Sequence, residues 1–146
     1  MRVPHNSFII VADGKKSLFF RNEGDGDFPN LIMERKDGHA DREDRELKSD
    51  APGRAFASTG AHRSGYEETD YHQLEEQKFA AETAELLKQR ALRNEFDSLI
   101  VVAPPRTLGE LRKHYHKEVE KRLAGEIAKD LTGHPVAEIE KILSAQ

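Results

Sequence analysis

Glycines, arginines and aromatic residues crowd one stretch of the chain. It reads Gly53-Arg54-Ala55-Phe56 and then Gly60-Ala61-His62-Arg63-Ser64-Gly65-Tyr66. A guanidinium presents a planar fork of donors that matches phosphate or carboxylate oxygens. Glycines beside it let the backbone approach a ligand. The composition therefore suits contact with phosphate or with an anionic surface. The stretch belongs to a polar insert, 38–70, whose large apolar residues are Leu47, Phe56 and Tyr66, too few to bury a face. Connections longer than about 12–15 residues without structure of their own are either functional or disordered. The bland alternative is a flexible surface excursion, and the alternating charges from Asp41 to Asp50 favour it.

Other residues that could do chemistry read more simply. Asp13 ends an apolar run and could serve as a base or a metal ligand. The following Gly14 makes it the turn residue of an Asp-Gly hairpin. Asp25 and Asp27 lack the remaining ligands of a calcium loop, including the glutamate at its twelfth position, and read as turn residues. His114 and His116 are two apart, about 200° around a helix, which suits a solvated face and not a shared metal. There is no Ser-His-Asp or Cys-His pattern, no phosphate loop, no dinucleotide fingerprint and no HExxH. Gly24-Asp25-Gly26 precedes a strand and not a helix. These absences favour a binding module over an enzyme, with no catalytic residue, metal ligand or cofactor assigned.

Composition sets the outer limits. The chain of 146 residues is long enough for one domain with a real core, read as 1–146. It is 36% hydrophobic and 34% charged, and its net charge of −4 argues against a general nucleic-acid coat while leaving room for a local basic patch. The absence of cysteine excludes disulfides and thiol chemistry. The start, MRVPHNSFIIVADG, has no signal-peptide pattern, and no run approaches the roughly 20 apolar residues of a membrane span. The expectation is a soluble, cytoplasmic protein with no membrane contact.

These candidates need a scaffold. Phe8 to Ala12, Ser17 to Arg21 and Asn30 to Lys36 read as three strands joined by tight turns, an antiparallel meander. Past the insert, Asp70 and Gln73 have the spacing of a capping box, predicting a helix over about Tyr71 to Asn94. Phe79, Thr83, Leu86, Leu87 and Ala91 form its apolar stripe. Ser98 to Ala103 is a continuous apolar run, the signature of a central strand covered on both faces. Loops at the carboxyl ends of such strands commonly hold ligands, which makes Pro104 to Thr107 a second site candidate. The plainer reading is a helix start, with Thr107 and Glu110 as another capping box. Arg122 to Asp130 fits helix and strand alike. Pro135 then sits where a first helical residue would, and Val136, Ile139 and Leu143 stripe a last helix.

In this layout the chain resembles the bacterial host attachment protein family. The resemblance rests on Val11-Ala12-Asp13-Gly14, on Gly53-Arg54-Ala55-Phe56-Ala57-Ser58 with Gly60 and Arg63, and on Phe79-Ala80. It continues through Leu99 to Pro105, Leu108-Gly109-Glu110-Leu111-Arg112, Ala128-Lys129-Asp130-Leu131-Thr132 and His134-Pro135. That family is similar in turn to the middle domain of archaeo-eukaryotic release factors and of the ribosome-rescue factor Pelota. The resemblance implies an α/β fold, with a mixed five-stranded sheet of ribonuclease-H-like architecture flanked by helices. A long polar loop would lie between the third strand and the first long helix. It also assigns Arg122 to Asp130 to a strand. In release factors that loop carries a Gly-Gly-Gln tripeptide which admits water to the peptidyl ester. This chain has Gly53-Arg54-Ala55 there and no Gly-Gly-Gln anywhere.

The expectation is a non-enzymatic protein that contacts the ribosome or a structured RNA through Gly53, Arg54, Phe56, Ser58, Gly60, Arg63 and Tyr66. The family label implies an alternative, a role in attachment to host cells, which the missing export signal would make indirect. A hydrolase acting through scattered acids such as Asp13 is a third reading.

Overall fold

The computed structural model describes residues 1–38 and 65–146, with side chains over 1–34 and 73–146. The apolar run Phe8–Ala12 forms strand β1, and Lys16–Asn22 and Leu31–Gly38 form β2 and β3. Helix α1 covers Gly65–Leu92, and β4 follows at Leu99–Ala103. Helices α2 (Pro105–Arg112) and α3 (Lys117–Arg122) lead into β5 at Leu123–Ala128. Helix α4, Val136–Ala145, ends the described chain. The strands make one mixed sheet in the order β3-β2-β1-β4-β5. β1 is antiparallel to β2 and parallel to β4, and β5 is parallel to β4. This is the α/β architecture with a five-stranded mixed sheet that the sequence leads one to expect.

The continuous apolar runs sit at the centre because both faces there are covered. Every residue of β1 and β4 is buried. On one face Phe8, Ile10, Phe19, Val101 and Ala103 pack against Ala80, Leu87 and Ala91 of α1, Leu108 and Leu111 of α2 and Val119 of α3. On the other, Ile9, Val11, Phe20, Ile100 and Val102 pack against Ile139 and Leu143 of α4. A bulge places two residues of β5 against one step of β4, since Leu99 pairs with Leu123 but Ile100 with Gly125. The bulge moves β5's apolar residues from one face to the other: Leu123 packs towards α1 and Ile127 towards α4. A second bulge sets Glu34 of β3 out of register, between the partners of Phe19 and Phe20.

Four local expectations are corrected. Helix α1 starts at Gly65, so Gly65 to Asp70 is helix and not insert, and Asp70 lies inside the first turns instead of capping them. Helix α2 begins behind Pro104 with no side-chain cap; Thr107, expected as its cap, is a buried residue of its third position. His114 and His116, read as two positions on a helix, lie instead in the turn between α2 and α3, where the His116 Nδ1 accepts the Glu118 N–H at 3.0 Å. His116 is thus a helix cap. Pro135 stands just outside α4 and not at its first position. Helix α1 stops where Asn94 takes a left-handed φ of 58°, with the Glu95 N–H on the Arg90 carbonyl and the Asn94 N–H on the Ala91 carbonyl. That closure satisfies the last carbonyls.

Candidate functional site

The carboxyl ends of the parallel strands β1, β4 and β5 share one edge of the sheet, and the chain leaves for residues 39–64 from that same edge. Gly38, the last residue of β3, pairs with Lys16, the first of β2. The β1–β2 turn stands directly beside it. Asp13 Oδ1 accepts the backbone N–H groups of Lys15 and Lys16, each at 2.9 Å, so Asp13 is the turn residue the Asp-Gly pair predicts. Gly14 has φ +95°, and a Cβ there would lie 3.3 Å from the Thr107 hydroxyl, so this turn needs glycine.

Charged groups along the edge are spent on one another. Asp13 Oδ2 accepts the Thr132 hydroxyl at 3.2 Å, and the same hydroxyl lies 2.7 Å from Asp130. Arg106, in the first turn of α2, pairs with Glu76 of α1 at 3.2 Å. An open recess lined by Asp130, Gly133, His134, Pro135 and Glu138 lies where β5 turns into α4. Among the described residues no group of three or more His, Asp or Glu side chains could hold a metal. The carboxylates of this edge fix the β1–β2 turn and the turn after β5.

Of the residues singled out for binding, Gly53, Arg54, Phe56, Ser58, Gly60 and Arg63 lie outside the described residues. Tyr66 falls in the first turn of α1, not in the insert. The Pro104 to Thr107 candidate is the start of α2 on this edge. Asp25 and Asp27 lie at the opposite, amino-terminal edge: Asp25 Oδ1 accepts the N–H groups of Asp27 and Phe28 at 2.9 and 2.8 Å. Those bonds hold the Asp25 carboxyl below its usual range. At the same edge Arg21 and Arg90 lie over the Phe8 ring, 5.3 and 4.3 Å from its centre. Both guanidiniums reach Glu34, at 3.3 and 2.9 Å. Sequence reasoning passed over this cation–aromatic cluster above the buried Phe8 ring, because its members are far apart in the chain and only the β3 bulge brings Glu34 to it.

Strand order, the two parallel crossovers and the long β3–α1 connection define a release-factor-like α/β domain. The chain belongs to the bacterial archaeo-eukaryotic release factor family 12, whose family model matches residues 6–143. A search of curated proteins found no match. Among the described residues no helix is long and apolar enough to cross a membrane.

Proposed function

We propose that this protein contacts RNA on the ribosome through the segment between β3 and α1, without catalysing a reaction. The observation that supports the reading is the match across residues 6–143 to a family named for the archaeo-eukaryotic release factors. The flanking elements support it: the last residue of β3, Gly38, pairs with Lys16 of β2, and Glu76 ties α1 to Arg106 of α2. In that role Gly53 and Gly60 let the backbone come close to the partner. Arg54 and Arg63 supply charge for phosphate oxygens, Ser58 a hydroxyl, and Phe56 or Tyr66 a surface for stacking. The chain's lack of Gly-Gly-Gln removes the group that would admit water to a peptidyl ester. The family resemblance to proteins required for host attachment is read as an indirect consequence of such a role.

Sucrose-gradient sedimentation with purified bacterial ribosomes tests this. The wild type is expected in the ribosomal fractions and an Arg54→Ala/Arg63→Ala variant at the top of the gradient. Wild type that stays at the top at low salt would overturn the proposal. Peptidyl-tRNA hydrolysis by the wild type would overturn its non-catalytic part.

A further inference from the structure

The turn from β2 to β3, at the end of the sheet opposite the 39–64 segment, holds a large aromatic residue in water. Phe28 is 80% exposed, more than any other exposed large apolar side chain among the described residues. Single exposed apolar residues are ordinary. This one differs in how firmly its backbone is held. Asn22 is fully buried, and its Oδ1 accepts the N–H groups of Gly24 and Asn30, each at 2.9 Å. Its Nδ2 donates to the Val3 carbonyl at 2.8 Å. Asp25 Oδ1 holds the Phe28 amide, and the Asp25 N–H reaches back to the Phe28 carbonyl at 3.2 Å. His5 Nδ1 donates to the Gly24 carbonyl at 2.7 Å, and Arg2 pairs with Asp27. Gly24 packs so closely that a Cβ would lie 2.2 Å from the Phe28 carbonyl oxygen.

A turn locked in this way has already lost the conformational entropy that a docking loop would otherwise lose on binding, which is what makes a rigid aromatic an effective anchor. Two more exposed apolar residues, Ile32 and Met33, follow within the first half of β3, an outer strand of the sheet. The surroundings are acidic. Glu23 and Asp25 are exposed, Asp27 carries the Arg2 pair, and the Asp25 carboxyl stays ionised because backbone N–H groups hold it. Acidic groups repel a phosphate backbone, so this end is unsuited to RNA.

We propose that the Asn22–Asn30 turn is a protein-docking site, with Phe28 entering an apolar pocket rimmed by lysine or arginine on a basic protein. The Phe28 turn stands at the start of β3, about 25 Å along the strand from Gly38 at its end, at roughly 3.3 Å per residue. This site does not depend on the RNA-contacting reading.

Photo-crosslinking tests it. A full-length chain with Phe28→p-benzoylphenylalanine is irradiated in bacterial cells beside a control with the same change at Leu92, another exposed apolar position. The expected adduct at position 28 is a basic protein, resistant to nuclease and absent from the control. Mapping places its crosslink in an apolar pocket flanked by basic residues. A Glu23→Lys background is expected to cut the adduct at least tenfold while thermal unfolding is unchanged. An adduct on nucleic acid, one that survives charge reversal, or none above the Leu92 control overturns the proposal. The fate of the Arg54/Arg63 variant on ribosomes does not enter this readout, so the two readings fail separately.

Discussion

At the scale of single residues, Asn22 and Glu34 each tie together parts of the chain that are distant in sequence. Asn22 is buried and uses both ends of its amide on backbone groups of the amino-terminal segment and of its own turn. Truncation leaves buried donors and acceptors without partners, each worth roughly 1–3 kcal/mol. Asn22→Ala is therefore expected to destabilise the fold by about 3 kcal/mol in urea titration; a loss under about 1 kcal/mol would show that water replaces the amide. Glu34 makes a pH prediction. Burial raises its pKa, but hydrogen bonds and charge from Arg21 and Arg90 outweigh that, and the folded value lies below 4.5. A depressed carboxylate adds stability that is present above its unfolded pKa and is lost as pH falls through the folded one. Wild type should lose stability relative to Glu34→Gln as pH drops below about 4.5, the unfolded reference value. Parallel unfolding curves between pH 6 and pH 3 would contradict the Arg21–Glu34–Arg90 arrangement. Little of this scale was legible beforehand. Asp13 and Asp25 were, because an Asx turn is local; the Phe8 cluster was not, because its partners meet only through strand pairing.

At the scale of elements, the strands were easier to read than the helix ends. Continuous apolar runs such as Leu99-Ile100-Val101-Val102-Ala103 have only one comfortable place, between two layers, and β4 occupies it. Arg122 to Asp130 could not be decided from periodicity, since Leu123 and Ile127 suit both helix and strand. Parallel pairing with β4 decides it, and the bulge explains the mixed signal, because the two residues face opposite layers. Helix starts misled for a different reason. A Ser, Thr or Asp three residues before Glu or Gln also occurs inside helices, as Asp70–Gln73 does in α1 and Thr107–Glu110 in α2. Among the described residues, the side-chain helix cap is His116 on α3. Replacing a cap by alanine typically costs about 1 kcal/mol. His116→Ala should lower stability by that amount, and His116→Asp, which keeps an acceptor there, should recover most of it. Equal stability of the two variants would show the His116–Glu118 bond to be idle. Ile100, buried between β4 and α4, should cost about 2–5 kcal/mol as Ile100→Ala by denaturant unfolding.

At the scale of the whole molecule, the sheet separates two ends with different chemistry. The carboxyl edge holds the Asp13 turn and the Thr132 turn that hydrogen-bonds to it, and the amino-terminal edge holds the Arg21–Phe8–Arg90 cluster and the acidic Phe28 turn. The strands were legible from apolar runs and turn residues, while the mixed sheet and the release-factor relation came through the family resemblance; the match is to a release factor family and does not show the host attachment label. The Gly-Arg segment was legible only as composition, and its six candidate residues before Tyr66 lie outside the described residues. The central claim is that Arg54 and Arg63 meet phosphate, and binding to ribosomes across a salt series measures it most directly. Each phosphate contact contributes a slope of about −0.7 to −0.9 in log K against log salt. Wild type is expected to bind with a clear negative slope, and Arg54→Ala/Arg63→Ala to flatten it by about 1.5 while weakening binding. An unchanged slope in the double variant would contradict the claim.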